Sequence, residues 1–353
     1  MTIKSLIGII SCALTIGLAM PWLCKKQPPT ELMYQLDYIQ HFVLNDTDKE
    51  ASNNSKRNNA FSEREDIQSG TIPPESSSTG NVGQTVYMSE LLMSKYPETC
   101  KNLIAILEKH NVKYSFIKGT KDIWCRDYMP VQTESGKMIQ FKYEPGYLKG
   151  KKWDSIRSNV HEVCKINGLN PQFSDINLDG GNVLICDGRA IISDRIFSEN
   201  TDIAKDSLIS KLSELLECEI IIIPAQKDDL TGHADGMVRF VNRNTILGND
   251  RAKENKDWRK DMQKIIDQQE LTYIDIPFFE DKDHKHAYSA IGIYVNYLEV
   301  NDLIVMPVFN RVEDKQALDI LKKTFPNKKI ETIDYNDIAK EGGLLNCTTW
   351  VVR

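Results

Sequence analysis

The chain has 353 residues, of which 41% are hydrophobic and 27% are charged, so most of it is expected to be globular with a substantial core. Its formal net charge of −6 argues against nucleic acid or an anionic membrane surface as the main partner. The eight cysteines include no CxxC pair, which indicates neither a zinc ribbon nor a thioredoxin-type motif.

The first 24 residues contain an apolar run with no charged residue between Lys4 and Lys25. A short basic start, an apolar run and the small residues Gly17 and Ala19 are typical of a secretory signal peptide. The run is also long enough to be an uncleaved membrane anchor. Residues 1–24 are therefore predicted to export the protein or to tether it on the periplasmic or extracellular side, with a cytoplasmic location as the alternative.

Residues 25–83 are rich in polar and small side chains, as in the stretch NDTDKEASNNSKRNNAFSERED. Such a composition buries little apolar area and predicts a disordered linker. A more apolar patch at residues 33–44 is compatible with a short helix, to which no function is assigned. The remaining residues, 84–353, are predicted to form the catalytic domain.

From residue 84 onward one pattern recurs five times: an amphipathic helix, a β-branched strand, a segment rich in Gly and Asp, and a strand hairpin. Apolar residues at helical spacing precede each strand, for example Ile156, Val160 and Val163 in the second copy. The strands are predicted to begin at Val112, Pro171, Cys218, Leu271 and Lys328. Repeats of this period predict blades around an axis or a solenoid.

The fifth copy ends after a single hairpin strand, CTTWVVR. The segment TVYM, which begins at Thr85, is predicted to supply the missing partner and so to close a ring without an open sheet edge. The segments rich in Gly and Asp occupy the same place in each copy, and equivalent positions of a closed ring meet at one end of its axis. Five residues are therefore predicted to converge: Asp127, Asp179, His233, Asp235 and Cys347.

A cysteine thiolate attacks electrophilic carbon, and a neighbouring histidine can transfer protons. Carboxylates beside a cysteine normally raise its pKa, so this combination makes sense if the substrate is a cation. A guanidinium is planar, remains charged and offers a fork of N–H donors that two carboxylates can bind. Once bound, its charge would stabilise the thiolate.

Each of these residues also has a structural alternative. Cys347 alone is compatible with a buried core thiol, and Asp127 with a local ion pair to Arg126. Asp179 followed by two glycines is compatible with a simple turn. The shared place of these residues in the repeat favours a joint functional role.

Six segments in chain order resemble the agmatine deiminase and bacterial-type peptidylarginine deiminase family of the guanidine-modifying pentein superfamily. They are WCRDYMP, LDGGN, DRIFSEN, TGHADGMVRF, YVNY and GGLLNC, and the resemblance extends from residue 85 to residue 353. It implies an α/β fold, a five-bladed propeller of ββαβ units. It also implies a hydrolase that converts a guanidine into a urea with loss of ammonia and needs no metal or other cofactor.

The resemblance implies that Cys347 is the nucleophile and His233 the general acid and base, and that Asp127 and Asp235 hold the guanidinium. Trp124 is expected to pack on the planar cation, and Gly343 to leave room for the substrate beside the thiol. The substrate-binding positions implied or expected are thus Asp179, Asn296, Trp124 and Gly343.

Three positions depart from the pattern of agmatine deiminases. Asp179 falls where many of them have glutamate, and Met129 replaces a glycine. The C-terminal motif is Gly-Gly-Leu-Leu-Asn-Cys in place of Gly-Gly-Gly-Asn-x-His-Cys. These differences leave the nucleophile in place and bear on the identity of the substrate.

The predicted activity is hydrolysis of agmatine, or a close analogue, to N-carbamoylputrescine and ammonia through a covalent thiouronium on Cys347. One alternative is a peptidylarginine deiminase that makes peptidyl-citrulline, in which a substrate carboxylate could be held by Lys142, Lys149 or Arg311. Another is a catalytically silent propeller that binds a cation. The predicted partner is accordingly a small guanidine or an arginine-containing peptide, and the oligomeric state is left open.

Overall fold

The structure is a computed structural model that describes residues 83–227, 229–281 and 288–353. The predicted signal or anchor at residues 1–24 and, except for its last residue, the predicted linker at residues 25–83 lie outside the described residues. Within the described residues, no helix is both long and apolar enough to cross a membrane.

The fold is mixed α/β, with five small sheets in the described part of the chain. In chain order the strands are β1 Thr85–Ser89, β2 Lys113–Ile117, β3 Val131–Gln132, β4 Met138–Lys142, β5 Gln172–Asn177, β6 Leu184–Cys186, β7 Arg189–Ser193, β8 Glu219–Ile223, β9 Val238–Asn242, β10 Thr245–Asn249, β11 Thr272–Ile276, β12 Leu298–Val300, β13 Leu303–Val308, β14 Lys329–Asp334 and β15 Thr349–Val352. The sheets have the orders β15-β1-β2, β3-β4-β5, β6-β7-β8, β9-β10-β11 and β12-β13-β14. In each, the central strand pairs antiparallel with one neighbour and parallel with the other.

Helices connect the parallel strands, because parallel neighbours need a long crossover. The helices described are α1 Glu90–Lys95, α2 Pro97–Lys109, α3 Cys125–Tyr128, α4 Val160–Ile166, α5 Arg195–Glu199, α6 Lys205–Leu216, α7 Lys256–Gln268, α8 Val312–Thr324 and α9 Asn336–Ala339. The long helices α2, α6, α7 and α8 each bury one apolar face, which in α2 consists of Cys100, Leu103 and Leu107. Each of the five predicted strands begins one residue after its predicted start, at Lys113, Gln172, Glu219, Thr272 and Lys329.

One predicted helix is too long at its start. Ile156 was assigned to the helix of the second copy, but it lies in a turn, and α4 begins at Val160. The cause is Asn159, whose side chain accepts hydrogen bonds from the backbone N–H groups of His161 and Glu162 at 3.1 and 3.3 Å. This N-cap satisfies donors that a longer helix would have bonded to its own carbonyl groups.

The predicted pairing of the two ends of the domain is confirmed. Strand β1 pairs antiparallel with β15, with Thr85 opposite Val352 and Met88 opposite Thr349. The buried Trp350 indole donates a 2.7 Å hydrogen bond to the carbonyl oxygen of Pro130. These contacts hold Cys347, two residues before β15, against the first copy of the repeat.

Replacing Trp350 with alanine should test how much this junction contributes to stability. Loss of the buried indole and its hydrogen bond is expected to lower the free energy of unfolding by about 3–5 kcal/mol. Denaturant unfolding of the full chain measures this change in the free energy of unfolding. The control is Val312→Ala, because Val312 is 78% exposed and its replacement should change stability by about 0.5 kcal/mol or less. Equal stability of the two variants would contradict the structure at this junction.

Candidate active site

The predicted site residues all follow the last strand of one sheet and precede the first strand of the next. Asp127 lies on α3 after β2, and Asp179 lies just after β5. His233 and Asp235 follow β8, Asn296 follows β11, and Cys347 follows β14. The shared place in the repeat, which the sequence analysis used to group these residues, is therefore present in the structure.

Two buried asparagines tie these connecting segments together. The side-chain oxygen of Asn182 accepts hydrogen bonds from Ser193 N at 2.9 Å and from Ala234 N at 3.1 Å, which joins the second segment to the third. The side-chain oxygen of Asn296 accepts from Cys347 N at 3.3 Å, and its amide donates to the Asp235 carbonyl oxygen at 3.2 Å. The amide side chain both donates and accepts, so one residue can fix two segments at once.

The His233 imidazole lies between two carboxylates. Its Nε2 is 2.9 Å from Asp179 Oδ2, and its Nδ1 is 3.5 Å from Asp127 Oδ1. Burial lowers the pKa of His233, but the charges of Asp127, Asp179 and Asp235, with the hydrogen bond to Asp179, outweigh burial and raise it to about 10. At neutral pH the ring therefore carries a proton on each nitrogen.

Asp127 has an unsatisfied oxygen in this site. Its Oδ1 is buried and accepts no hydrogen bond, although His233 is at ion-pair distance. Burial raises the pKa of Asp127 well above its usual range, His233 opposes that effect, and the nearby Asp179 and Asp235 add to it. A buried acceptor without a donor costs about 1–3 kcal/mol, so a ligand with N–H donors would gain by binding here.

The thiol of Cys347 completes the cluster. Its Sγ is 3.4 Å from Asn296 Oδ1 and 3.8 Å from Asp235 Oδ2. Burial, followed by the charges of Asp235 and Asp127, raises the pKa of Cys347 well above its usual value. In the free protein the sulfur therefore keeps its proton at neutral pH, and a cation bound between the carboxylates would reverse the largest charge effect.

Gly181 is a site residue that the sequence analysis did not identify. A Cβ at this position would lie 2.6 Å from Asp127 Oδ1 and 2.7 Å from His233 Nδ1, closer than real Cβ atoms approach other atoms. Only glycine lets the backbone pass beside these two groups. The signal was present in the pair of glycines after Asp179, which had been weighed only as a turn.

Gly343 and Trp124 lie beside the thiol, but in a different relation from the one expected. A Cβ on Gly343 would clash with the Trp124 ring and would lie 3.1 Å from Cys347 Cβ. The space that Gly343 leaves is therefore occupied by the indole, which packs next to the nucleophile. The prediction that the ring also packs on a bound cation stays a prediction.

Other polar side chains surround the cluster without having been predicted. Tyr147 donates a hydrogen bond to Asp179 Oδ2 at 2.9 Å. Arg126, for which an ion pair with Asp127 was the structural alternative, donates through its backbone N to Cys347 O at 3.1 Å and through Nε to Asn346 O at 3.3 Å. Burial and the neighbouring Arg239 lower the pKa of Arg126. These two arginines place positive charge near Cys347 and Asp235.

The three basic residues considered for a peptide carboxylate lie outside this cluster of contacts. Lys142 forms a 2.9 Å ion pair with Glu144, Arg311 lies over the Phe279 ring at 5.0 Å, and Lys149 is exposed. Their role in binding a substrate stays a prediction. In the part of the chain that the structure describes, no group of three or more His, Cys, Asp or Glu side chains has the arrangement needed to hold a metal ion.

Several proteins similar to this chain carry the name agmatine deiminase. A candidate agmatine deiminase of Latilactobacillus sakei is 26% identical over 276 residues, which cover 65% of this chain and 75% of that protein. The agmatine deiminase of C. jejuni superposes with a TM-score of 0.61 at 18% identity, covering 76% of this chain and 93% of its own. The Enterococcus faecalis agmatine deiminase gives the same TM-score and coverage at 16% identity. These structural matches bear on the fold.

The model of one protein family matches nearly the whole described region. It is the model of the Porphyromonas-type peptidyl-arginine deiminases, and it spans residues 84–352. The match includes every connecting segment that carries a site residue, and the resemblance found in the sequence is confirmed. The chain belongs to the Porphyromonas-type peptidyl-arginine deiminase family.

Proposed function

We propose that this protein is a guanidine deiminase, a hydrolase of C–N bonds, that uses Cys347 as its nucleophile. The observation that carries the proposal is the convergence of one thiol, one imidazole lying between two carboxylates and a third buried carboxylate, with one carboxylate oxygen left without a hydrogen bond. A cationic, planar substrate with several N–H donors matches that set of charges. A catalytically silent cation-binding protein is the alternative of another class, and an ammonia-release assay separates the two.

Substrate binding uses Asp127 and Asp235. A guanidinium between them can donate to Asp127 Oδ1, which accepts no hydrogen bond, and to Asp235, and its charge favours the ionised form of Asp127. The same charge lowers the pKa of the Cys347 thiol, so the thiol releases its proton to solvent when the substrate arrives. The substrate thus activates the residue that attacks it.

The chemistry then proceeds in two halves. The Cys347 thiolate adds to the guanidinium carbon, and the neutral adduct accepts a proton from His233 on one amino group, which leaves as ammonia. The product of this half is a positively charged thiouronium on Cys347. The neutral imidazole next takes a proton from water, whose oxygen adds to the same carbon. Collapse expels the thiolate, and the urea releases its extra proton to solvent.

Two neighbouring residues are assigned supporting roles by their contacts. Asp179, expected to bind substrate, contacts His233 Nε2 at 2.9 Å, which supports a role in orienting the ring and keeping it protonated. Asn296 contacts the backbone N and the Sγ of Cys347, which supports a role in fixing the nucleophile. Each acts on a group that reacts.

For the substrate we propose agmatine or a close small guanidine. The relatives reported above carry agmatine deiminase names, and the sequence of the connecting segments contains no run of basic or aromatic residues that would mark a peptide groove. Peptidyl-arginine is the second candidate, because the matching family model is of that type. Ammonia release from agmatine, free arginine and C-terminal-arginine peptides compares them, and turnover of the peptides without turnover of agmatine would reverse the assignment.

For the architecture and location we make two further proposals. The five sheets of identical topology, with β1 paired to β15, support a ring of five blades, which an experimental structure would test. The uncharged run before Lys25 supports export or tethering, followed by a linker to residue 83 and the catalytic domain at 84–353. Cell fractionation of the full chain against a chain lacking residues 1–24 would test that, since equal distributions would contradict it.

Replacing Cys347 with serine should abolish ammonia release. A serine hydroxyl at this position lacks a base strong enough to ionise it, so activity is expected to fall by about 10³-fold or more. The matched control is Cys186→Ser, because Cys186 is also a free thiol whose pKa burial raises, to about 12, but it lies on β6 away from the connecting segments. Wild-type turnover in Cys347→Ser would remove this residue from the mechanism.

Asp179→Asn should shift the pH dependence of the reaction. Nearby carboxylates raise the pKa of His233 to about 10, so kcat/KM of the wild type should fall as the pH rises through that value and the ring loses the proton it gives to ammonia. Removing one negative charge lowers that pKa, and the alkaline limb should move to lower pH.

The measurement is kcat/KM for ammonia release from the neutral to the alkaline range. The control is Asp175→Asn, since Asp175 is an exposed carboxylate on β5, the strand that precedes Asp179, and should leave the profile unchanged. An unshifted alkaline limb in Asp179→Asn would show that this carboxylate does not act through His233.

A further inference from the structure

Asn346, the residue before the proposed nucleophile, is 4% exposed and uses every polar group it has. Its Nδ2 donates to Asp235 Oδ2 at 2.7 Å, and its Oδ1 accepts from Arg239 Nη1 at 2.7 Å. Its backbone N donates to Asn296 Oδ1 at 3.1 Å, and its carbonyl oxygen accepts from Arg126 Nε at 3.3 Å. The residue thus joins two arginines to a carboxylate of the site.

The chemistry of the two side-chain partners determines which residue types fit this position. Arg239 can only donate hydrogen bonds, and the Asp235 carboxylate can only accept them. An amide satisfies both in a single orientation, with its oxygen towards Arg239 and its nitrogen towards Asp235. Arg239 is itself held over the Tyr297 ring at 4.8 Å and lies 3.9 Å from Glu299 Oε2, so the amide receives a hydrogen bond from a fixed cation.

The oxygen that Asn346 binds is the one that faces the nucleophile. Asp235 Oδ2 accepts a hydrogen bond from Asn346 at 2.7 Å and lies 3.8 Å from Cys347 Sγ, so two side chains of the protein already contact this oxygen. The hydrogen bond from Asn346 does not use the other oxygen, Oδ1, so it does not compete with a ligand for that oxygen. The hydrogen bond also withdraws electron density from the oxygen nearest the sulfur, which weakens the electrostatic penalty on a thiolate there.

We propose that Asn346 is a positioning residue that reserves one oxygen of Asp235 for the guanidinium and transmits the charge of Arg239 towards Cys347. This inference deepens the proposed deiminase function and rests on it. It also accounts for a sequence feature of this chain, the Asn-Cys pair at the C-terminal motif, because the amide side chain of that asparagine is what joins Arg239 to Asp235.

The test compares Asn346→Asp, Asn346→Leu and Asn346→His. Asn346→Asp places a carboxylate against Asp235 Oδ2, and Asn346→Leu removes the hydrogen bonds that join Arg239 to Asp235. The neutral imidazole of Asn346→His restores one donor nitrogen and one acceptor nitrogen. We expect kcat/KM for the guanidine to fall by about 100-fold in the first two variants, with a raised KM, because Asp235 is misplaced. The histidine variant should recover most of that loss.

A second readout does not depend on turnover. The rate at which iodoacetamide alkylates Cys347 in the substrate-free full chain, followed by mass spectrometry of the Cys347 peptide, reports the thiolate fraction at each pH. In Asn346→Asp the alkylation curve should move to higher pH by about one unit, because negative charge is added beside the sulfur. Asn200→Asp is the control, since Asn200 is equally buried at 4% exposure but bonds to Asn177 and Ile196.

The outcomes separate this inference from the proposed function. If the wild type releases no ammonia from any guanidine, the deiminase proposal is wrong, and the alkylation curves still show whether Asn346 acts on the thiol. If Asn346→Asp and Asn346→Leu keep wild-type kinetics, the positioning role is wrong. The positioning role is also wrong if Asn346→Asp and Asn346→Leu lose activity while the alkylation curve of Asn346→Asp is unshifted and Asn346→His recovers no activity. That combination of results indicates a general packing effect.

Discussion

The ion pairs of His233 with Asp127 and Asp179 are the interactions on which the rest of this site depends. Three carboxylates within one buried cluster repel one another, so the cluster needs a compensating positive charge. The imidazolium supplies that charge to Asp179 and Asp127, with one ring nitrogen towards each, and Arg126 and Arg239 place positive charge near Asp235. The Asp127 oxygen nearest His233 still accepts no hydrogen bond, so it marks where an attraction for N–H donors remains. An acceptor without a donor destabilises the empty site, and a bound cation with N–H donors would relieve that cost.

Much of the fold could be predicted because the repeat provides the same signals five times. Apolar residues at helical spacing and runs of β-branched residues located each crossover strand to within one residue, as with Lys113 and Glu219. The grouping of Asp127, His233 and Cys347 needed only the shared place of their segments in the repeat, since equivalent places in repeated units lie close together once those units close on themselves. The pairing of β1 with β15 followed from counting strands, because the fifth copy had one too few.

What could not be predicted depends on contacts between segments distant in the sequence. Asp179 bonds to His233, and the Trp124 ring occupies the space above Gly343. Both contacts depend on the paths of loops, and those paths carry no periodic signal in the sequence. The misplaced start of α4 has a local origin instead, because an N-cap at Asn159 competes with an apolar residue at helical spacing, and the pattern alone does not show which prevails. Asn346 was noticed as a departure from a motif, but its role required the positions of Arg239 and Asp235, which lie more than a hundred residues earlier in the chain.

The resting acidity of a thiol does not identify the nucleophile in this protein. Burial raises the pKa of Cys100 to about 11 and that of Cys164 to about 12, and Cys347 is shifted in the same direction. The difference lies in the causes. Burial is the only cause for Cys100 and Cys164, and a small ligand cannot undo it, whereas the shift of Cys347 also includes the charges of Asp235 and Asp127. A cation bound by these two acids cancels that part of the shift and turns an inert thiol into a reactive one only while the substrate is present. A free protein that keeps its thiol protonated is also protected from oxidation, because oxidants attack the thiolate. Activation by the substrate therefore combines reactivity towards a guanidinium with stability in its absence.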